Sequence, residues 1–328
     1  MGLSEIVGHQ KQVEALRLAL VTERLHHAYL FVGPEGVGKK TIALGLAKAV
    51  HCSAAMGDFC GECADCARIH DGNHPDVRII EVLAGKKEIS IQQIRELEKE
   101  LNFRSFSGKK KIVILDRATL MNLSAQNALL KTLEEPPNNS LLFLVAPNVG
   151  GLIPTLRSRC LQVSFGALPR DLVAHFLVTR KGLKTEEAEF LAAMTLGSLG
   201  AATKIDKKHF LEKRQRWLAL LTSLNTANYR AAIDAAEELA SNKEALVEFL
   251  EWAICWQRDR LVYAVTQGSQ EIFNLDLISD IQQQTAQRDL ESILSLLSQT
   301  AGAVGSIQRN LNRRMVLENV LLNIVGEH

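Results

Sequence analysis

The chain has 328 residues, 47% of them hydrophobic and 23% charged, with a formal net charge of +1. That length supports two or three domains with a sizeable core, and the near-neutral balance excludes a general nucleic-acid coat while leaving room for a local basic patch. No apolar run is long enough to span a bilayer, "MGLSEIVGHQ" lacks a signal-peptide layout, and Ile6 stands where myristoylation needs Ser or Thr, so a cytoplasmic chain with no membrane partner is expected.

Apolar residues in "EIVGHQKQVEALRLALVTERL" recur at helical spacing and predict an amphipathic helix. "HAYLFVG" then predicts a buried strand, and "KKTIALGLAKAVHC" restores the helical period. Between them lies "GPEGVGKKT" at residues 33–41. Strand, glycine-rich loop and helix are the setting of a phosphate-binding loop. Gly33, Gly36 and Gly38 let backbone N–H groups face an anion, the helix N-terminus adds its positive end, and Lys39 is placed to reach the β- and γ-phosphates. The pattern next requires a hydroxyl to hold magnesium. Lys40 occupies that place, and the hydroxyl arrives at Thr41, about 100° further round the helix.

Four of the six cysteines fall in "HCSAAMGDFCGECADC", as Cys52, Cys60, Cys63 and Cys66. The x2 spacings let tight turns present sulfurs to one ion, so the stretch 52–66 predicts a structural zinc module. No fourth position is left open for a catalytic water. His51, His70 and His74 lie nearby as alternates, and an iron–sulfur cluster is the other metal reading, though nothing else suggests redox work. Gly57 and Gly61 supply turns, and Glu62 and Asp65 point to an exposed knuckle.

"DVRIIEV" predicts a second strand, and "SIQQIRELEKELNF" a helix with Ser90 as N-cap and a glutamine three residues on. "GKKK" at 108–111 is a basic turn before "KKIVILD", a run buried on both faces that ends in Asp116. Asp116 is placed to touch a magnesium shell, or else stands as a strand-end carboxylate in solvent or capping the next turn. Where an ATPase carries a catalytic glutamate next, this chain has Arg117, which cannot accept a proton. "SAQNALLKTLEEPP" predicts a helix stopped by Pro136 and Pro137; on it Asn127 and Lys131 suit either a phosphate backbone or a solvated face. "SLLFLVA" and "CLQVSF" predict two more strands. From 169 onward only helical periodicity is visible, and 207–328 holds no proline, as a bundle would.

The pieces "HAYLFVGPEGVGKKT", the cysteine insertion, "GNHPDV", "NALLKTLEEPP" and "LRSRC" in this order resemble the AAA+ clamp-loader family of bacterial DNA polymerase III, and within it the delta-prime branch. The motif match covers residues 26–166; the helical remainder agrees in character. The resemblance implies an AAA+ α/β P-loop domain over 1–167, a mostly parallel sheet with helices on both faces and the zinc insertion. A small helical lid over 168–206 and an all-α collar over 207–328 follow. It implies a hetero-pentameric ring with gamma/tau motor and delta subunits, acting on a sliding clamp and primer-template DNA. Arg159 of "SRC" would project into a neighbour's nucleotide site as an arginine finger, which in trans adds orders of magnitude to the rate. On the residues alone, a salt bridge at a strand entrance is the favoured reading of Arg159, and only the resemblance turns it into a finger.

Motor subunits of the family also carry a phosphate-sensing polar residue after the fourth strand and an arginine in a lid G-S-x-R pattern. Here Ala146 and Pro147 occupy the first place, with Asn148 displaced, and Gly200 the second. Four groups serving hydrolysis are therefore absent or moved. A non-motor ring subunit is expected, without polymerase chemistry of its own and with ATP or ADP binding left open; an active gamma/tau-like motor is the alternative, supported by the intact Gly38–Lys39 pair.

Overall fold

The computed structural model describes residues 2–224, 229–268, 272–286, 288–309 and 311–326. Five strands form one parallel sheet: β1 (Ala28–Val32), β2 (Val77–Ile80), β3 (Lys111–Leu115), β4 (Ser140–Ala146) and β5 (Leu161–Ser164), in the order β2-β3-β4-β1-β5. Helices α1 (Gln10–Val21), α2 (Lys39–His51), α3 (Ala64–His70), α4 (Ile91–Asn102), α5 (Leu123–Glu134) and α6 (Pro154–Arg157) accompany it.

The period of two along each central strand divides the core. Tyr29, Phe31, Ile112, Ile114, Leu141 and Phe143 face one layer with residues of α1, α2 and the cysteine segment. Ala28, Leu30, Val113, Leu115, Leu142 and Leu144 face the other, with residues of α4 and α5. Every residue of β4 is buried, which explains its uninterrupted apolar run. Each large side chain sealed this way contributes roughly 1.5–3 kcal/mol. β5 is an edge strand and largely exposed, so its pattern is weaker.

Local signals fix the helix ends. The Ser90 hydroxyl accepts from the Gln93 amide at 3.4 Å while the Gln93 side chain accepts from the Ser90 amide at 3.1 Å, a reciprocal capping box at α4. Asn122 caps α5 through Ala125, and the helix closes at Glu135 before the prolines. α1 starts at Gln10, later than the periodicity suggests, because His9 adopts a left-handed φ of 59° and breaks the turn. α3, inside the cysteine segment, is the one element there that the apolar pattern does not announce.

The chain folds as two compact units: residues up to 172 together with 197–200, and 173–196 with those from 201 on. α7 (Arg170–Lys181), α8 (Thr185–Met194) and α9 (Leu199–Ala202) are followed by α10 (Lys207–Ser223), α11 (Tyr229–Ala240), α12 (Lys243–Thr266), α13 (Ile278–Thr285), α14 (Leu290–Gln308) and α15 (Arg313–Gly326). No strand occurs among the described residues after 164. The second core centres on Trp217, Phe249, Trp252 and Trp256, with α12 packed against α14 and α11 against α15. Asp259 is fully buried there, and its carboxylate accepts from the amides of Phe273 (3.0 Å) and Asn274 (2.8 Å), so a buried charge is compensated by hydrogen bonds. No helix among the described residues is long and apolar enough to cross a membrane.

Candidate functional site

Parallel strands place their carboxyl ends, and the loops that follow, on one rim of the sheet, where α/β folds bind ligands. β1 delivers the loop 33–38 to this rim, β2 delivers Glu81, β3 delivers Asp116 and β4 delivers Pro147. Gly33 has φ 155°, and a Cβ there would stand 2.0 Å from the Phe165 carbonyl oxygen, so only glycine fits. Gly36 and Gly38 also have positive φ, 74° and 107°.

The loop's carbonyls are engaged by the chain itself. The Lys39 ammonium donates to the carbonyls of Gly33 and Pro34, both at 2.5 Å. The Ser198 hydroxyl donates to Glu35 at 2.9 Å, the Gly200 amide to Gly36 at 2.8 Å, and His9 Nε2 lies 3.0 Å from the Val37 carbonyl. Lys39 is buried, and burial lowers its pKa to about 8 against the pull of Glu35 and Asp116. Lys40 sends its ammonium to Asp116 Oδ2 at 2.9 Å and Glu81 Oε2 at 3.2 Å. Thr41 is exposed. Arg117, at φ 50°, extends toward Glu35 at 3.9 Å. Asn148 accepts from the Gly150 amide at 2.9 Å, capping its own turn.

Glu81 was not visible as a site residue from spacing; the strand register brings it there. Ile80 pairs with Leu115 in the parallel ladder, so the residues that follow each, Glu81 and Asp116, stand side by side. Beside them opens a cleft of about 440 Å³ lined by Glu81, Lys86, Lys87, Asp116 and Arg117.

Arg159 lies away from this rim, just before β5. Its guanidinium pairs with Glu134 at 2.5 Å and donates to the Thr155 carbonyl at 2.7 Å, and it is one-third exposed. Glu134, the last residue of α5, is a partner that the sequence motif does not single out. Burial pushes the Cys160 thiol up to about 12, which makes it a packing residue rather than a nucleophile. Asn127 and Lys131 are exposed on α5.

The sulfurs of Cys52, Cys60, Cys63 and Cys66 lie within 4.8 Å of one another. Zinc at about 2.3 Å from each of four thiolates needs them a little under 4 Å apart, so the cluster fits a structural zinc site. Cys52 caps the end of α2, Cys63 caps the start of α3 and Cys66 lies in its first turn. Backbone amides already point at sulfur: Cys60 to Cys52 at 3.4 Å and Cys63 to Cys60 at 3.3 Å. Hydrogen bonds from Ser53 and Cys66 hold the Cys63 thiol down to about 6, while burial pushes Cys66 up to about 12. Asp58 in the intervening loop accepts from the amide of Leu3 at 2.6 Å, so the module clasps the N-terminal turn. The adjacent His51, His74 and Asp76 also cluster, but the Asp76 carboxylate is committed to the amides of Phe106 and Ser107, at 2.8 and 2.7 Å.

Residues 8–169 match the family model described as DNA polymerase III, delta subunit, and residues 208–326 match the one described as the C-terminal part of that subunit. DNA polymerase III subunit delta' of Pseudomonas aeruginosa is 30% identical, over 90% of this chain and 90% of its own length. The delta' subunit of Bacillus subtilis is 28% identical over 92% and 91%. The tau subunit of Escherichia coli reaches 35%, but over 53% of this chain and 27% of itself.

Proposed function

This chain belongs to the delta-prime family of DNA polymerase III subunits, and from that premise we propose that it works as the non-motor frame of a clamp-loader ring, lending Arg159 to a neighbouring ATPase subunit. One observation carries the non-motor assignment. Similarity to the delta' subunit of Pseudomonas aeruginosa covers 90% of both chains, whereas the tau subunits of Bacillus subtilis and Escherichia coli match 80% and 53% of this chain and only 50% and 27% of their own length.

In this reading the first 167 residues are an AAA+ module, 168–206 its lid and 207–328 the collar through which the ring assembles with gamma/tau-type and delta-type subunits. The ring would place a sliding clamp on primed DNA. Three features of the rim support the loss of motor work. Arg117 stands where a general base would be needed, Asn148 is turned back on its own loop, and Gly200 has no side chain to offer a phosphate. Arg159 fits the donor role because its guanidinium is partly exposed and held by a single surface carboxylate and one carbonyl, contacts it can exchange for a phosphate's oxygens. The four-cysteine cluster holds zinc in a structural capacity, with all four positions taken by protein.

The test is hydrolysis with and without the ring. The purified chain should turn over no ATP alone, and should raise DNA-stimulated turnover when added to its motor and delta partners. Turnover by the chain alone, at the rate of a motor subunit, would assign it to the motors.

A further inference from the structure

We propose that Lys40 is a tethered replacement for the divalent cation of a phosphate loop, and that it makes this site reject magnesium-bound nucleoside triphosphate. In working loops, the hydroxyl after the loop lysine and the carboxylate at the end of the acidic strand hold magnesium between them. The residues here do not fit that ion. Lys40 takes the hydroxyl's position in sequence, and its ammonium lies 2.9 Å from the same strand-end carboxylate, Asp116, and 3.2 Å from Glu81.

The charge balance explains why one cation excludes the other. Two carboxylates on adjacent strand ends repel each other and need a positive partner; Lys40 supplies it from within the chain, with no binding equilibrium to satisfy. A magnesium ion arriving at Asp116 must displace an ammonium that cannot diffuse away, and like charges a few ångströms apart repel strongly even at an effective dielectric of about 20. Burial works to neutralise Lys40, but its hydrogen bond and attraction to Asp116, reinforced by Glu81, raise its pKa, so the charge persists. Lys86, Lys87 and Arg117 share the wall of the adjoining cleft with the two acids, so further cations already stand beside the place a magnesium ion would take. Lys39 meanwhile spends its donors on the carbonyls of Gly33 and Pro34.

This inference rests on the loop's descent from a nucleotide-binding one, and is independent of the ring role and of Arg159. Lys40→Thr completes the pattern as G-P-E-G-V-G-K-T-T while leaving Lys39, Asp116 and Glu81 in place. ATP binding to the full-length, zinc-loaded chain is measured by calorimetry in magnesium and again in magnesium-free buffer without chelator. Wild type should bind no more tightly with magnesium than without, and K40T should bind at least about tenfold more tightly with it. Circular dichroism checks the fold, and Lys40→Ser carries the same comparison should K40T fold poorly. Magnesium-strengthened binding by the wild type, or none gained by either folded variant, overturns the proposal.

Discussion

The amide of Gly200 donates to the carbonyl of Gly36 across 2.8 Å, and a Cβ on Gly200 would stand 2.9 Å from the Gly36 Cα. Backbone thus lies directly on backbone, where a motor subunit would hold an arginine side chain. Gly200→Arg should therefore fail to restore a phosphate sensor and instead push the 197–200 segment off the loop. The expected cost is about 1–3 kcal/mol, read as a fall in Tm of several degrees. An unchanged Tm would mean the contact is looser than its distances indicate.

Zinc removal should be felt beyond the cysteines. Asp58 ties the module to Leu3, and Leu3 and Ile6 pack near Gly45 of α2. Metal analysis should give about one zinc per chain. After strong chelation, amide exchange should quicken at residues 52–66 and at 3–6 while β1 and β4 stay protected. Equal protection of the module with and without metal would remove the structural role.

The pairing of Arg159 with Glu134 discriminates a strut from a donor. Their side chains are 33% and 50% exposed, so the pair should contribute little to folding. A double-mutant cycle with Glu134→Ala and Arg159→Ala should give a coupling below about 1 kcal/mol. A coupling above about 2 kcal/mol would make the arginine a brace for the entrance to β5, unavailable to a neighbour.

Lys39 gives a pH signature. Burial brings its pKa from 10.5 to about 8 in the fold. Between those values the unfolded chain keeps a proton that the folded chain has released, so this group's contribution to stability rises with pH across the window and is unfavourable below it. The stability of wild type relative to Lys39→Met should increase by at most about 3 kcal/mol from pH 8 to 10.5. A flat difference would show that the amine is solvated.

Much of this architecture is legible in the chain. β1, β3 and β4 read as continuous apolar runs because helices cover both faces, and the Ser90–Gln93 box and the cysteine spacing are local signals. The loop's departure at Lys40 is equally plain in the sequence. What it touches is not: Glu81 lies 41 positions away, and the Ser198 contact to Glu35 spans 163. Such partners are set by strand register and by the return of a distant segment, neither of which leaves a short-range pattern. Glu134 escaped notice for the same reason, since the proline stop that ends α5 says nothing of what its last side chain meets.

The most direct measurement is the DNA-stimulated ATPase rate of a ring reconstituted with Arg159→Ala in place of the wild-type chain, with assembly checked by gel filtration. A donated guanidinium predicts an intact ring whose turnover drops several-fold, because one neighbouring site loses the charge that stabilises its transferring phosphoryl group. A fully assembled ring hydrolysing at the wild-type rate would contradict the assignment of Arg159 to its neighbour.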